Sequence, residues 1–221
     1  MLERVLEPEV MDSAEDAAEY AAIDHAAVND EFVRYLTREL GFKGGRLIDL
    51  GTGPADIAIA IARQIPAARV TAVDLGSHML TLARQKVAAA PERERIELVE
   101  ADAKATGFPG LSFDFVVCNS LVHHIPEPLL LLREIVRLAR PGAGIFLKDL
   151  KRPASRAELE RLVETYAAHD TPYQRQLFHN SLHAALRPDE IAALAGAAGL
   201  ADVQVTVPSD RHWQLTRPMK E

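Results

Sequence analysis

Four polar side chains of this sequence each follow a short apolar run that has the composition of a β-strand. Because parallel strands end at the same edge of a sheet, we expect these side chains to converge there, where ligands of open α/β sheets bind. A carboxylate that ends the second strand can accept two hydrogen bonds from a ribose, so the pattern predicts a nucleoside-containing ligand. The four residues are Asp49 after RLI, Asp74 after RVTAV, Asp102 after RIELVEA and Asn119 after FDFVVC.

The first of these runs passes directly into a glycine turn, in the segment LIDLGTGPAD at residues 47–56. Strand-to-helix turns of this kind commonly bind the phosphates of a nucleotide. The dinucleotide fingerprint G-x-G-x-x-G, however, has its third glycine where this chain has Asp56. The carboxylates of Asp56 and Asp49 would both oppose a pyrophosphate, so the residues favour a ligand that carries a ribose and a positive centre but no phosphate.

Alternating strand and helix patterns position these residues. Helical segments at 54–65, 77–89 and 127–139 separate β-rich runs, the fifth of which is GIFLKDL. This alternation predicts a doubly wound α/β fold, in which a mostly parallel sheet carries helices on both faces. The C-terminal segment DVQVTVPSDRHWQLTRP predicts two more strands that form an antiparallel hairpin, which makes a seven-stranded sheet.

Helical patterns also flank this alternating region. In the N-terminal pattern, Val28, Phe32, Leu36 and Leu40 recur at every fourth position and form one apolar stripe. The segment at 170–187 shows no clean period. The flanking helices are predicted at residues 12–40, 155–169 and 188–198.

Composition restricts the possible functions. The chain has 221 residues, of which 48% are hydrophobic, and a formal net charge of −7, which makes nucleic acid a poor candidate partner. Cys118 is the only cysteine, so no disulfide within the chain and no cysteine-based metal site is expected. No apolar run approaches the roughly 20 residues of a membrane span, and the N-terminus lacks the pattern of a signal peptide. We expect a cytoplasmic protein without a membrane partner.

Four segments of the chain resemble the class I S-adenosylmethionine-dependent methyltransferases. The segments LIDLGTGPADIAIAIA, VTAVDLGSHML and VEADAKATGFP resemble the first three motifs of that family, and FDFVVCNSLVHHIPEPLLLLREIVRLARPGAGIFLKD resembles the rest of its core. The resemblance covers roughly residues 46–150, and the order and spacing of the four segments make it specific. It is nearest to the small-molecule enzymes of the ubiquinone-biosynthesis type. It implies a Rossmann-like fold, S-adenosylmethionine as cofactor, and methylation of a small molecule at oxygen, nitrogen, carbon or sulfur.

The resemblance implies a role for each residue at the ligand edge. The Gly51 and Gly53 backbone would approach the methionine part of the cofactor, and Asp49 would meet its ammonium group. Asp74 would hold the ribose hydroxyls. Taken singly, Asp74 could instead be a turn residue and Asp102 a helix cap. The other cofactor contacts that the resemblance implies are Thr52 in the glycine turn, Leu75, Met79, Asp102 and Ala103 at adenine, and Asn119 and Ser120 near the sulfonium.

Two adjacent histidines, His123 and His124, follow the fourth strand in the segment NSLVHHIPEP, where the resemblance places the methyl group. Methyl transfer requires alignment of the reacting atoms and exclusion of water, and it requires a base only if the nucleophile arrives protonated. His124 is the first candidate for this catalytic base and His123 the second, although both could be structural. No third ligand is visible at helical spacing, so the sequence predicts no metal site.

The resemblance also implies segments that close over the ligands. An N-terminal helical cap would occupy residues 1–45, and the methyltransferase core would occupy residues 46–221. Within the core, a lid is expected at about residues 151–187.

Three residues of the cap and lid are predicted to bind substrate. Tyr20 and His25 would reach the substrate from the cap. His179 and His183 lie four residues apart and would share one helix face, from which His179 could contact the substrate. A solvated face is the alternative for this pair.

Charged residues near the ends of the last strands leave further alternatives open. The end of the fifth strand could meet an acidic substrate or simply be solvated; its charged residues are Lys148, Asp149, Lys151 and Arg152. Arg211, His212 and Trp213 are expected at a sheet edge or dimer contact, so a homodimer is possible.

Two other functions compete with methyl transfer. The first is a nicotinamide-dependent oxidoreductase, against which Asp56 counts because it replaces the third glycine. The second is a protein that binds S-adenosylmethionine without transferring its methyl group. The carboxylates Asp49, Asp74 and Asp102 favour binding of the cofactor but do not indicate whether its methyl group is transferred.

Overall fold

The computed structural model of the chain describes residues 2–9 and 26–220, and these residues form one seven-stranded sheet with helices on both faces. The fourth strand, FDFVVCN, buries successive residues, as expected for a parallel strand that is covered on both sides. The strands are β1 Gly45–Leu50, β2 Ala68–Asp74, β3 Ile96–Glu100, β4 Phe113–Asn119, β5 Ala139–Leu150, β6 Gln204–Ser209 and β7 His212–Arg217.

The helices begin at recognisable start signals. Pro128, Pro172 and Pro188 each occupy the first turn of a helix, where the missing amide hydrogen costs nothing. Ser155 and Thr171 cap the helices that follow them through their side-chain oxygens. The helices of the described residues are α1 Ala26–Arg38, α2 Asp56–Gln64, α3 Ser77–Ala89, α4 Pro128–Leu138, α5 Arg156–Tyr166, α6 Pro172–Ala184 and α7 Pro188–Ala198.

The strand order is β3-β2-β1-β4-β5-β7-β6. Strands β1 to β5 pair in parallel, and β7 pairs antiparallel with both β5 and β6. The direction of winding reverses at β1, which lies between β2 and β4, and a crevice forms at the carboxyl ends of these strands. The predicted doubly wound, mostly parallel sheet with an antiparallel C-terminal hairpin is confirmed.

Two apolar cores fix this edge of the sheet in place. On one face, Leu131 and Ile135 of α4 pack with Ile191 of α7 against the strands. On the other face, α1 and α2 supply a second core, in which the ring of Phe32 stacks on that of Phe146 with centroids 4.3 Å apart. Burial on both faces holds the strand ends rigidly, so the polar residues that follow them have defined positions.

A third, smaller core joins α5 and α6 beyond the end of β5. Leu159 and Leu182 are fully buried in it, and Leu2 packs against them. Leu2 belongs to an extended segment of residues 2–9, which we name the N-terminal strap. The Arg4 side chain anchors the strap by donating to the carbonyl oxygens of Ala184, His123 and Ile125 at 2.6, 3.2 and 3.0 Å.

The structure departs from the sequence predictions in three places. The helix predicted to start at residue 54 starts at Asp56, because Ala55 has a left-handed φ of 63°. The segment without a clean period contains α6, in which Leu182 and Ala184 are the buried residues, so no apolar stripe marks the helix. The prediction of Trp213 at a sheet edge is wrong: β7 lies between β5 and β6, and Trp213 is 0% exposed.

The proposed division into cap, core and lid stays a prediction. No helix in residues 2–9 and 26–220 is long and apolar enough to cross a membrane.

Candidate cofactor and acceptor site

A cavity of about 520 Å³ lies at the carboxyl edge of the sheet, between the strand ends and α6. This volume is in the range of small-molecule sites. All of the predicted cofactor-binding residues line the cavity, and we name the part that they form the cofactor half. They are Asp49, Gly51, Thr52, Gly53, Asp74, Leu75, Met79, Asp102, Ala103, Asn119 and Ser120.

The glycine turn brings the backbone to the cavity wall. The amides of Gly51 and Thr52 both donate to the Val73 carbonyl, at 2.8 and 2.9 Å, which ties the turn to β2. Gly51 has a left-handed φ of 75°, and a Cβ at this position would lie 2.8 Å from the Leu121 side chain. Only glycine fits here, because any side chain would collide with the segment that follows β4.

Asp74 is held rigidly between two loops. Its carboxylate accepts the amides of Gly53 and Gly76 at 2.7 and 2.8 Å, which links the glycine turn to the end of β2. The carboxylate also lines the cavity. The placement fits the predicted bonds to ribose hydroxyls.

Asp49 is a buried carboxylate that lines the cavity. It is 1% exposed, and the Thr52 hydroxyl donates to it at 2.7 Å. Burial and, to a smaller extent, the neighbouring Asp74 carboxylate raise its pKa to about 7, against the opposing effect of the Thr52 hydrogen bond. A cationic group in the cavity would stabilise the ionised form of Asp49, which is the chemistry that an amino-acid ammonium group offers.

The opposite wall suits an adenine ring. Leu75, 43% exposed, and Met79 present apolar surface to the cavity. Asp102 accepts the Lys104 amide at 2.8 Å and lies 2.9 Å from the Lys104 ammonium, which also pairs with Glu9 of the strap. The residues of the cofactor half therefore fit S-adenosylmethionine in charge and shape, and the individual contacts remain predictions.

A second part of the cavity, which we name the acceptor half, lies beyond the ends of β4 and β5. His123 is buried there, and its Nδ1 lies 2.5 Å from the Asp149 carboxylate. Burial alone would lower the pKa of His123, but Asp149 outweighs burial, so the pKa is raised. The acceptor half is lined by His123, His124, Lys148, Leu150, Tyr166, Gln174, Leu177, Phe178, Ser181, Arg211 and His212.

His124 is a weaker base than His123. Burial and the neighbouring His123 lower its pKa to about 3, so it is neutral at physiological pH. Its Nδ1 lies 3.2 Å from Oε1 of Glu7, a residue of the strap. No sequence pattern points to Glu7, because the strap is separated from the histidines by more than a hundred residues.

None of the three predicted substrate-binding residues is among the described residues that line this cavity. His179 lies outside it, beside a shallow depression with Arg175 and Gln176, because it is on a different face of α6 from the cavity-lining residues. Tyr20 and His25 lie outside the described residues. The roles of all three stay predictions.

Sequence reasoning missed several residues of the acceptor half. Gln174, Phe178 and Ser181 recur along one face of α6, so their spacing is a signal that could have been read. Arg211 and His212 reach the cavity because the β6–β7 turn folds over the end of β5, which pairing between distant segments decides.

Comparison with known proteins agrees with the site. A methyltransferase-domain family model matches residues 48–147. The ubiquinone biosynthesis O-methyltransferase of Xanthomonas campestris is 28% identical over 174 residues, which are 79% of this chain and 70% of that protein. The ubiquinone/menaquinone biosynthesis C-methyltransferase of Geobacter sulfurreducens is 34% identical over 115 residues, or 52% of this chain and 45% of that protein.

A solved structure supports the same fold. The crystal structure of a SAM-dependent methyltransferase from Aquifex aeolicus superposes with a TM-score of 0.67 at 18% identity, covering 92% of this chain and 97% of that one. The matched residues include the glycine turn, Asp74 and the two histidines. Residues 48–147 thus form a methyltransferase domain, the chain has the fold of S-adenosylmethionine-dependent methyltransferases, and it is similar in sequence to methyltransferases of ubiquinone biosynthesis.

Proposed function

We propose that this enzyme transfers a methyl group from S-adenosylmethionine to a hydroxyl group of a small aromatic acid. The observation that carries the proposal is that one cavity joins the cofactor half to a buried His123–Asp149 pair. The name of the Xanthomonas relative, an O-methyltransferase, supports oxygen as the acceptor atom.

Bound S-adenosylmethionine supplies a methyl group on a sulfonium, and its transfer forms the oxygen–carbon bond while the sulfur keeps the electron pair of the broken bond. The chain must align the acceptor with that methyl group, exclude water, and accommodate the proton that the hydroxyl loses. His123 and its neighbours are suited to the last task. Asp149 orients the His123 ring through Nδ1 and makes it a stronger base, which favours His123 over His124.

Two cations support an acidic acceptor. Lys148 and Arg211 line the acceptor half, and neither forms an ion pair with another residue among the described 2–9 and 26–220. The Arg211 guanidinium instead stacks over the Tyr166 ring at 3.5 Å. Burial lowers the pKa of both groups, and a carboxylate beside them would compensate that cost.

The acceptor half also favours a flat apolar body. Phe178, Leu177 and Leu150 line it together with the Tyr166 ring. When an aromatic acceptor packs its ring against these residues, we expect its acid group to contact Lys148 and Arg211 and its hydroxyl group to contact the histidines.

The first test compares hydroxybenzoic acids with their primary amides as methyl acceptors. We expect the wild type to prefer the acids, and Arg211→Gln to lose about 10- to 100-fold in kcat/KM on the acids alone, as expected for a hydrogen bond to a charged group. The measurement is formation of S-adenosylhomocysteine at matched acceptor concentrations.

Arg161→Gln is the matched control, because Arg161 pairs with Asp210 near Arg211 but does not line the cavity. This variant should retain the preference for acids. Equal methylation of acids and amides by the wild type would refute the acidic acceptor while leaving methyl transfer itself intact.

A second prediction concerns Asp49 and pH. The positively charged amino group of S-adenosylhomocysteine should bind the ionised carboxylate of Asp49, whose pKa is raised to about 7 in the ligand-free protein. Asp49 becomes protonated as the pH falls below that value, so affinity should weaken about tenfold between pH 8 and pH 6. Calorimetric titration at each pH measures the change.

The control for this prediction is Asp49→Asn, which cannot titrate. It should bind more weakly at pH 8 and show little change between the two pH values. An equal pH dependence in the variant would mean that another group is responsible.

A homodimer, a cytoplasmic location and the absence of nucleic-acid and membrane partners stay predictions. Light scattering of the purified chain tests the first of them.

A further inference from the structure

Three side chains converge in the acceptor half from distant parts of the sequence. Oε1 of Glu7 lies 3.2 Å from Nδ1 of His124 and 3.6 Å from Nε2 of His123. All three atoms lie within 4.8 Å of one another. The Glu7 side chain is 8% exposed and that of His123 is 4% exposed, so the cluster is largely removed from water.

Two atoms of this cluster are buried without a hydrogen-bond partner in the described part of the chain. They are Oε1 of Glu7 and Nδ1 of His124. Buried polar atoms are rarely left unpaired, because an unmet hydrogen bond costs about 1–3 kcal/mol. The other carboxylate oxygen of Glu7 accepts from the Ser181 hydroxyl at 3.4 Å, so the side chain is positioned while Oε1 stays unpaired.

The tautomers place lone pairs at the centre of the cluster. His123 uses Nδ1 to contact Asp149, so its Nε2 is the atom that faces Glu7. His124 interacts with the backbone of Pro8, and because its Nδ1 is unpaired this contact uses Nε2. Nδ1 of neutral His124 is then an acceptor. Acceptors that face one another at these distances are satisfied by a shared proton or by a bound cation, and the geometry of the cluster distinguishes the two.

The arrangement has the dimensions of a metal site. With metal–nitrogen and metal–oxygen bonds of about 2.0–2.1 Å in a tetrahedron, ligand atoms are about 3.3 Å apart. The two distances from Oε1 of Glu7, 3.2 and 3.6 Å, bracket this value. Asp149 bound to the far nitrogen of His123 is the outer carboxylate that commonly orients a metal-binding histidine.

We propose that Glu7, His123 and His124 bind a divalent first-row transition ion, with Zn²⁺ as the best-fitting case, at the acceptor end of the cavity. Two imidazoles and one carboxylate are a ligand set of catalytic zinc sites, which keep a fourth position for water or substrate. The inference deepens the proposed function and rests on it for the identity of the fourth ligand, an acceptor hydroxyl oxygen. With Nε2 of His123 bound to the ion, the ion would take over the role of the base: it would lower the pKa of a bound hydroxyl, whose proton leaves to solvent, and present the acceptor as an anion.

The test uses the full chain after treatment with a chelator. Calorimetric titration with Zn²⁺ should give one site per chain in the wild type. Glu7→Gln removes one ligand charge but can keep the bond from Ser181, and it should weaken binding at least about tenfold. Asp149→Asn should weaken it about 10- to 100-fold through His123. Zn²⁺ should also raise the melting temperature of the wild type and much less that of Glu7→Gln.

Glu9→Gln is the matched control, because it removes the same charge from the same strap at a residue that pairs with Lys104 instead. It should bind Zn²⁺ like the wild type. His124→Gln provides a second ligand variant if Glu7→Gln folds poorly, with circular dichroism and S-adenosylhomocysteine binding as the checks on folding.

Equal Zn²⁺ affinity of the wild type, Glu7→Gln and His124→Gln would overturn the proposal, because other histidines would then bind the ion. Absence of a tight site in the wild type would overturn it as well. Either result would leave the proposed methyl transfer untouched, because binding of S-adenosylhomocysteine and turnover are measured separately.

Discussion

Replacement of Asp74 by alanine is expected to weaken binding of S-adenosylhomocysteine by about 100-fold or more. The carboxylate would accept two hydrogen bonds from the ribose, and bonds to a charged group contribute about 1.5–3 kcal/mol each. Asp74 also holds Gly53 and Gly76 through their amides, so its loss loosens the glycine turn at the same time. Calorimetric titration of the variant measures the change in affinity.

Glu100→Ala is the control for this prediction. Glu100 is the partner of Asp74 in the neighbouring strand, at the same edge of the sheet, but it is exposed and does not line the cavity. This variant should bind S-adenosylhomocysteine like the wild type. A normal affinity in Asp74→Ala would remove Asp74 from the cofactor site and with it the main support for the arrangement of the cofactor half.

Replacement of His123 by asparagine is expected to lower turnover by about 10²- to 10⁴-fold while leaving S-adenosylhomocysteine binding within about twofold of the wild type. An asparagine amide can take the position of Nδ1 and keep the contact with Asp149, so a buried carboxylate is not left unpaired. The variant lacks Nε2, the ring nitrogen that lies 3.6 Å from Glu7 and that we propose as the base or metal ligand. Single-turnover kinetics with an acceptor from the hydroxybenzoate screen measure the effect.

The second prediction has one control variant and one result that would contradict it. His169→Asn changes an exposed histidine that does not line the cavity, and its turnover should be normal. Turnover of His123→Asn within about threefold of the wild type would show that neither proton transfer nor metal binding at His123 contributes to the reaction. In that case the pair with Asp149 would be structural.

Much of the fold could be read from the sequence because its signals are local. The run that forms β4 and the second half of β5 are mostly apolar because they are buried on both faces, and α4 begins at Pro128. The cofactor half was predictable because most of its residues lie at the end of a strand, directly after a strand or in the glycine turn. The convergence of Asp49, Asp74 and Asp102 follows from the rule that parallel strands end at one edge of the sheet.

The acceptor half was much less predictable, because pairing between distant segments builds it. Glu7 reaches His123 only because Arg4 anchors the strap on α6 and the turn after β4. Arg211 reaches the cavity because β7 inserts between β5 and β6 instead of forming the edge. No periodicity or spacing in the sequence encodes such contacts.

The choice between the two histidines also depended on three-dimensional contacts. Adjacent residues have the same sequence context, and His124 was the first candidate for the base. The structure gives His123 the Asp149 contact and gives His124 a pKa of about 3, which reverses the order in our proposal.

The most direct measurement of the central claim is calorimetric binding of S-adenosylhomocysteine to the wild-type chain, with NAD as the parallel ligand. We predict one site per chain with micromolar affinity for S-adenosylhomocysteine, a corresponding rise in melting temperature, and no binding of NAD. Binding of NAD without binding of S-adenosylhomocysteine would contradict the account and indicate that the glycine turn binds a dinucleotide.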